Sequence, residues 1–181
     1  MRINFFGGPG SGKSTTAPWV FSMLKRDKAS IELVTEYVKS WATQKRKVNE
    51  FDQIYLFGKQ MQYEYRFLNA GIKNIVTDSP VLLSSVYASV YFKDINVADD
   101  LEHMADEYEK KYPSINIFLD RGDKPYNPEG RYQTYEEAKE IDKLILKVLE
   151  DKAQNKQLTY AIFPFSDPEA ILKYVRDHIT K

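Results

Sequence analysis

Gly7-Gly8-Pro9-Gly10-Ser11-Gly12-Lys13-Ser14, continuing into Thr15 and Thr16, decides how this chain folds. It follows Arg2-Ile3-Asn4-Phe5-Phe6, a short apolar run that predicts a buried first strand, and precedes a helical pattern from Ser14 to about Arg26. That strand, turn and helix setting separates a phosphate-binding loop, the P-loop, from a chance match to G-x-x-x-x-G-K-[ST]. Glycines at 7, 8, 10 and 12 permit backbone angles that a Cβ forbids, so successive N–H groups can turn inward around phosphate oxygens. A helix starting near Gly12 adds its positive dipole end and unpaired N–H groups. Lys13 is then placed to reach the β- and γ-phosphates, and the Ser14 hydroxyl to ligate Mg²⁺. The competing reading is a glycine-rich turn with an exposed lysine, and the setting counts against it. The stretch predicts a nucleoside triphosphate, ATP by expectation, held by Gly8, Gly10, Ser11, Gly12, Lys13, Ser14 and Thr15.

Outward from the loop, apolar runs and helical patterns alternate. Ile31 to Thr35 predicts a second strand with Glu36 at its carboxyl end, followed by a helix from Tyr37 to about Arg46. Asn49 is placed to cap a long helix reaching about Leu68, with Gly71 as its stop. Asn74 to Asp78 is a third strand ending in an acid, and Ser79-Pro80 opens another helix. Asp99 to Lys111 reads as an acidic, mostly exposed helix near a mobile flank. Ser114 to Asp120 is a fourth strand, followed by a Gly-, Pro- and charge-rich stretch, Arg121 to Arg131, that predicts a lid over about 121–134. Thr134, with Glu137 three residues on, has the spacing of a capping box for a helix to Asp151. Leu158 to Phe163 is a fifth strand, Pro164 to Pro168 a turn, and Glu169 to about Ile179 the closing helix. Strands alternating with helices predict the α/β class: one domain over 1–181, a three-layer P-loop NTPase sandwich around a five-stranded parallel sheet.

Composition narrows the chemistry. Twenty-six Lys and Arg balance 26 Asp and Glu, so no global charge draws the chain to nucleic acid or membrane. With no cysteine and two histidines, a disulfide framework and a Cys- or His-based metal site are excluded. The first residues form a strand pattern rather than a leader, and no apolar run approaches the ~18 residues of a membrane span. A soluble, cytoplasmic protein is expected, as a monomer or homodimer.

In such sheets ligands sit beyond the carboxyl ends of the strands, so residues just after each strand are the informative ones. Asp78 is placed to hold Mg²⁺ through water or to accept a proton from an attacking hydroxyl; an Asp before Ser-Pro is also a good helix cap. Glu36 is placed to hydrogen-bond a sugar hydroxyl or to deprotonate it; a surface carboxylate is the plainer alternative. Arg121 and Arg131 flank the expected lid, where arginines close over transferring phosphates, and Arg121 is alternatively suited to stack on adenine. Among the aromatics and amides between Phe51 and Tyr63, Gln53 or Gln60 is suited to reading a base edge. Trp41 fits a base pocket or the core.

With those residues placed, the chain resembles the small-molecule P-loop kinases: nucleoside and nucleotide kinases, and the NadR-like AAA kinases often found in phage genomes. Deoxynucleoside kinases carry Glu-Pro-Val-x-x-Trp after their second strand, similar to Glu36-Tyr37-Val38-Lys39-Ser40-Trp41. Their Gln-bearing aromatic helix resembles Phe51-Asp52-Gln53-Ile54-Tyr55. Their Glu-Arg-Ser after strand three is similar to Asp78-Ser79, without the arginine. The NadR-like kinases have a Thr-Glu-Tyr segment, matched by Thr35-Glu36-Tyr37. The resemblance implies Glu36 on the phosphate acceptor, Asp78 with Mg²⁺, and Arg121 or Arg131 in the lid.

The function expected is an ATP- and Mg²⁺-dependent kinase for a nucleoside, nucleotide or related small molecule. Its expected catalytic set is Lys13, Glu36, Asp78, Arg121 and Arg131, with Glu36, Trp41, Gln53 and Asp78 on the acceptor. A second reading places the acceptor hydroxyl on a polynucleotide or modified DNA base, with Lys39, Lys45, Arg46 and Lys47 as a local basic cluster. A third is a nucleotide-dependent ATPase or switch, although the Asn-Lys-x-Asp segment of guanine-reading switches is absent.

Overall fold

The computed structural model describes residues 1–49, 51–92, 96–123 and 125–179; Lys124 of the expected lid lies outside them. Five strands, β1 (Arg2–Phe6), β2 (Ile31–Val34), β3 (Asn74–Thr77), β4 (Ser114–Asp120) and β5 (Tyr160–Pro164), form one sheet. Its order is β2-β3-β1-β4-β5 and every neighbouring pair is parallel. Parallel neighbours need crossovers, supplied by α1 (Lys13–Arg26), α2 (Lys39–Thr43), α3 (Asp52–Asn69), α4 (Leu83–Tyr91), α5 (Val97–Lys111), α6 (Tyr135–Gln154) and α7 (Pro168–His178). β1 is central, with β3 on one side and β4 on the other, so the crevice where the strand order reverses opens directly above the P-loop.

Alternation along the strands divides the core in two. Ile3 and Phe5 of β1 and Ile115, Ile117 and Leu119 of β4 pack with Val20 and Leu24 of α1 and Leu172 and Val175 of α7. On the other face Phe6 and Phe118 pack with Val86 of α4, Leu101 of α5 and Ile141, Ile145 and Leu149 of α6. A three-layer sandwich results. Among the described residues no helix is long and apolar enough to cross a membrane.

The predicted capping box is formed: the Thr134 hydroxyl accepts from the Glu137 N–H and the Glu137 carboxylate accepts from the Thr134 N–H. Several boundaries differ from expectation. α2 covers five residues, not the ten from Tyr37 to Arg46, because Lys45 turns into the left-handed region at φ 54° and closes the helix. Asn49 does not cap α3; its N–H and side-chain amide donate instead to the Asp52 carboxylate, 2.8 and 3.1 Å away, inside a turn. Residues 80–82 form a turn before α4, with the Leu83 N–H donating to the Pro80 carbonyl. α5 is not an exposed flank, since Val97, Leu101, Ala105 and Tyr108 recur at helical spacing and are buried.

At the amino ends of the strands, opposite the P-loop, Arg2 fastens two helices to the sheet. Its guanidinium donates to Glu64 of α3 at 3.3 Å, to Glu109 of α5, and to the Tyr112 carbonyl at 2.7 Å. Burial outweighs the pull of Arg2 on Glu64 and pushes its carboxyl up to about 7. Folded Glu64 therefore binds its proton more tightly than the unfolded chain does. The stability this provides is full below pH ~4.5 and is lost as pH rises through ~7, a swing of about 3 kcal/mol. We expect wild type to lose more thermal stability between pH 5 and 8 than Glu64→Gln, measured by parallel melting curves. Equal slopes would show that Glu64 titrates normally.

Candidate active site

α1 starts at Gly12, whose φ of 109° and ψ of 0° suit a residue without a Cβ. The first N–H groups of α1 have no carbonyl a turn earlier to bind, which leaves them directed at the crevice. That crevice is a cavity of about 800 Å³. Gly10, Gly12, Lys13, Ser14 and Thr15 line one end of it. Gly8 and Ser11, also expected in the cradle, do not: the Gly8 N–H donates to Asp142 of α6, and Ser11 is buried.

Glu36 and Asp78 line the same cavity as Lys13. The Glu36 N–H donates to Asp78 Oδ1 at 2.8 Å, so the tips of β2 and β3 are tied together. Gln60 of α3 extends the tie, accepting from the Tyr37 N–H and donating to the Thr77 hydroxyl, both at 3.3 Å. Asp78 is thus buried with one oxygen engaged, while no hydrogen bond or ion pair engages the Glu36 carboxylate. Burial raises the pKa of both acids, opposed first by the positive charge of Lys13. Burial likewise lowers the Lys13 pKa, opposed by Glu36 and Asp78. The ammonium meanwhile donates to the Gly7 and Gly8 carbonyls, the second at 2.9 Å.

The Ser14 hydroxyl and the Asp78 carboxylate present hard oxygen donors to one space. Among the described residues no three acids, histidines or cysteines gather into a full cage. Few protein oxygens, with room for water and phosphate oxygens, suit Mg²⁺. The residues fit that ion.

Two expected site residues are elsewhere. Arg121 is neither in the lid nor open to adenine: it is 6% exposed and bonded to Asp142, with further donation to the Pro9 carbonyl at 3.0 Å. Trp41 does not line the cavity; its ring stacks on Tyr55 at 5.9 Å, with the Arg46 guanidinium 3.3 Å from its centre. Gln53 does line the cavity, and so does Arg131. The segment carrying Arg131 crosses the mouth. A Cβ on Gly10 would lie 2.9 Å from the Tyr126 ring, Gln133 donates to the Tyr91 hydroxyl at 2.6 Å, and the Tyr132 hydroxyl donates to the Arg46 carbonyl.

Asp142 escaped the sequence reading. It accepts from Gly8 and Arg121 at once, and α6 comes so near that a Cβ on Gly8 would meet the Ala138 carbonyl at 2.6 Å. Its signal is an acid within a stripe otherwise made of Ala138, Ile141, Ile145 and Leu149, all buried. Asp142→Asn keeps an acceptor for Gly8 but leaves the buried Arg121 cation unpaired. We expect it to cost about 3 kcal/mol by denaturant midpoint and to weaken ATP binding. Unchanged affinity would show that the clamp does not shape the loop.

Against known proteins, the model of an AAA domain family matches residues 2–160. The chain belongs to this AAA family. No curated protein sequence matches it. The AAA chain is similar in structure to deoxyadenosine kinase from M. mycoides. The form with bound dATP has a TM-score of 0.63 at 17% identity, covering 97% of this chain and 100% of that one. The form with the products dCMP and a flexible dCDP gives 0.60 at 16%, covering 98% and 97%, and the dCTP form 0.59 at 16%, covering 98% and 100%. The AAA chain therefore has the α/β fold of the P-loop kinases.

Proposed function

We propose that the chain is an ATP-dependent kinase that transfers the γ-phosphoryl group to a hydroxyl of a nucleoside, nucleotide or related acceptor. The observation carrying this reading is that Lys13, Glu36 and Asp78 line one cavity, joining a phosphate cradle to two carboxylates. The nucleotides in the titles of the M. mycoides enzyme structures lend it support.

In this reading the triphosphate lies on the N–H groups of Gly10 to Thr15, and Lys13 leaves the loop carbonyls for the β- and γ-phosphates. Ser14 and Asp78 would hold Mg²⁺, which supplies charge neutralisation on the phosphate oxygens when bound. Glu36 is the base. Its carboxylate is the one without a partner, and its raised pKa makes it the stronger proton acceptor. The hydroxyl oxygen bonds to the γ-phosphorus as the bond to the β-phosphate oxygen breaks. ADP departs with that electron pair and the hydroxyl proton passes to Glu36. Arg131 faces the developing charge from the covering segment, while Gln53, Gln60 and Tyr87 surround the acceptor. Burial holds the Tyr87 phenol far above its usual pKa, so it stays a protonated donor.

The test is a transfer screen with γ-labelled ATP against nucleosides, their monophosphates, nicotinamide riboside and DNA containing hydroxymethylated bases. Label is expected on one acceptor class. Slow release of phosphate with no labelled acceptor, together with a protein partner that binds only the ATP form, would overturn the kinase reading in favour of a switch.

A further inference from the structure

The wall that carries Glu36 holds more positive charge than a triphosphate on the P-loop would use. Between Glu36 and Glu50 the chain has Lys39, Lys45, Arg46 and Lys47 and no acid, in a protein whose formal net charge is zero. Arg46 is engaged, over the Trp41 ring and 3.7 Å from Asp52. Among the described residues Lys39, Lys45 and Lys47 make no ion pair. Lys39 and Lys47 line the cavity.

Three cations act on the Glu36 carboxyl: Lys13 most strongly, then Lys39 and Arg131. Lys13 belongs to the phosphate cradle and Arg131 to the segment that covers it. Lys39 belongs to neither; it opens α2, on the same wall as Tyr37, Val38 and Ala42. A neutral acceptor filling this end of the cavity would strip water from two ammonium groups and return nothing to them. An acceptor with a phosphate would meet both with charge-assisted bonds.

We infer that the acceptor carries a phosphate of its own, seated on Lys39 and Lys47, in addition to the hydroxyl that is phosphorylated at Glu36. This rests on the kinase reading above and narrows it to phosphate-bearing acceptors. The seated phosphate is unchanged by the reaction. A mononucleotide and a nucleic acid strand supply the same group, and the test separates them.

For each of the four 2′-deoxynucleosides, binding to the ADP-loaded protein is measured for three matched probes: the nucleoside, its 5′-monophosphate, and a single-stranded oligonucleotide ending in it. Transfer from γ-labelled ATP is followed in parallel. For at least one base the phosphate-bearing probes are expected to bind ten- to a hundredfold more tightly than the nucleoside. Lys39→Ala/Lys47→Ala removes that preference, whereas Lys143→Ala/Lys147→Ala, an equal loss of charge on the distant α6, retains it. A preference for the monophosphate identifies a mononucleotide acceptor. A preference for the oligonucleotide identifies a strand, with the slope of log K against log salt falling by about 1.4 in the double variant, ~0.7 per lost phosphate contact. Equal binding of nucleoside and phosphate-bearing probes, or a preference that survives Lys39→Ala/Lys47→Ala, overturns the inference. Lysine-dependent binding with no label transferred to any probe upholds the phosphate seat and overturns the kinase reading instead.

Discussion

Glu36→Gln is expected to lower kcat for phosphoryl transfer by about 10²- to 10⁴-fold, the range for loss of a general base. The amide keeps the shape of the carboxyl and nearly all its contacts, so ATP should bind as before. Because burial raises the Glu36 pKa, wild-type activity should be present above that raised value and fall as pH drops through it. This acid limb lies above the 4.5 of an ordinary glutamate, and the Gln variant should lack it. A carboxylate held against its preference for water also costs stability, so Glu36→Gln should melt no lower than wild type at neutral pH. Rapid-quench transfer over a pH series, with a melting curve at each pH, tests all three. Full activity in the variant would remove Glu36 from the chemistry and leave Asp78 as the base.

Lys13→Ala should lower kcat/KM for ATP by about 10²- to 10³-fold, since it removes a cation aimed at charge developing between the β- and γ-phosphates. The effect should fall more on kcat than on KM, because the N–H groups of Gly10 to Thr15 still hold the ground-state triphosphate. The fold should survive. Lys13 is half-buried at the surface of the cavity, and its only hydrogen bonds are to the Gly7 and Gly8 carbonyls. Steady-state kinetics with circular dichroism separates the two effects. A variant that turns over ATP normally would mean that this loop does not serve transfer.

The sheet and the cradle were legible in the sequence because their signals are local. A strand, a glycine-rich turn and a helix within the first 26 residues leave few alternatives, and each later strand is a compact apolar run. Glu36 and Asp78 could be placed at the crevice because strand-end position in a parallel sheet is itself spatial information. Arg121 was misplaced for the converse reason. Position after β4 puts it near the P-loop, but its direction is set by Asp142, twenty-one residues away on α6. Trp41 was drawn into the core by Tyr55 and Arg46, and pairings between separate elements leave no periodic trace. The short α2 and the late start of α4 are boundary effects, decided by the left-handed turn at Lys45 and by the turn after Pro80.

The most direct measurement is a crystal structure of the protein with a non-hydrolysable ATP analogue and the acceptor that the screen identifies. The account predicts the triphosphate on the N–H groups of Gly10 to Thr15 and the acceptor hydroxyl at hydrogen-bond distance from Glu36, ~2.6–3.2 Å, in line with the γ-phosphorus. A triphosphate on the loop with the acceptor hydroxyl outside the cavity lined by Glu36 and Asp78 would contradict it.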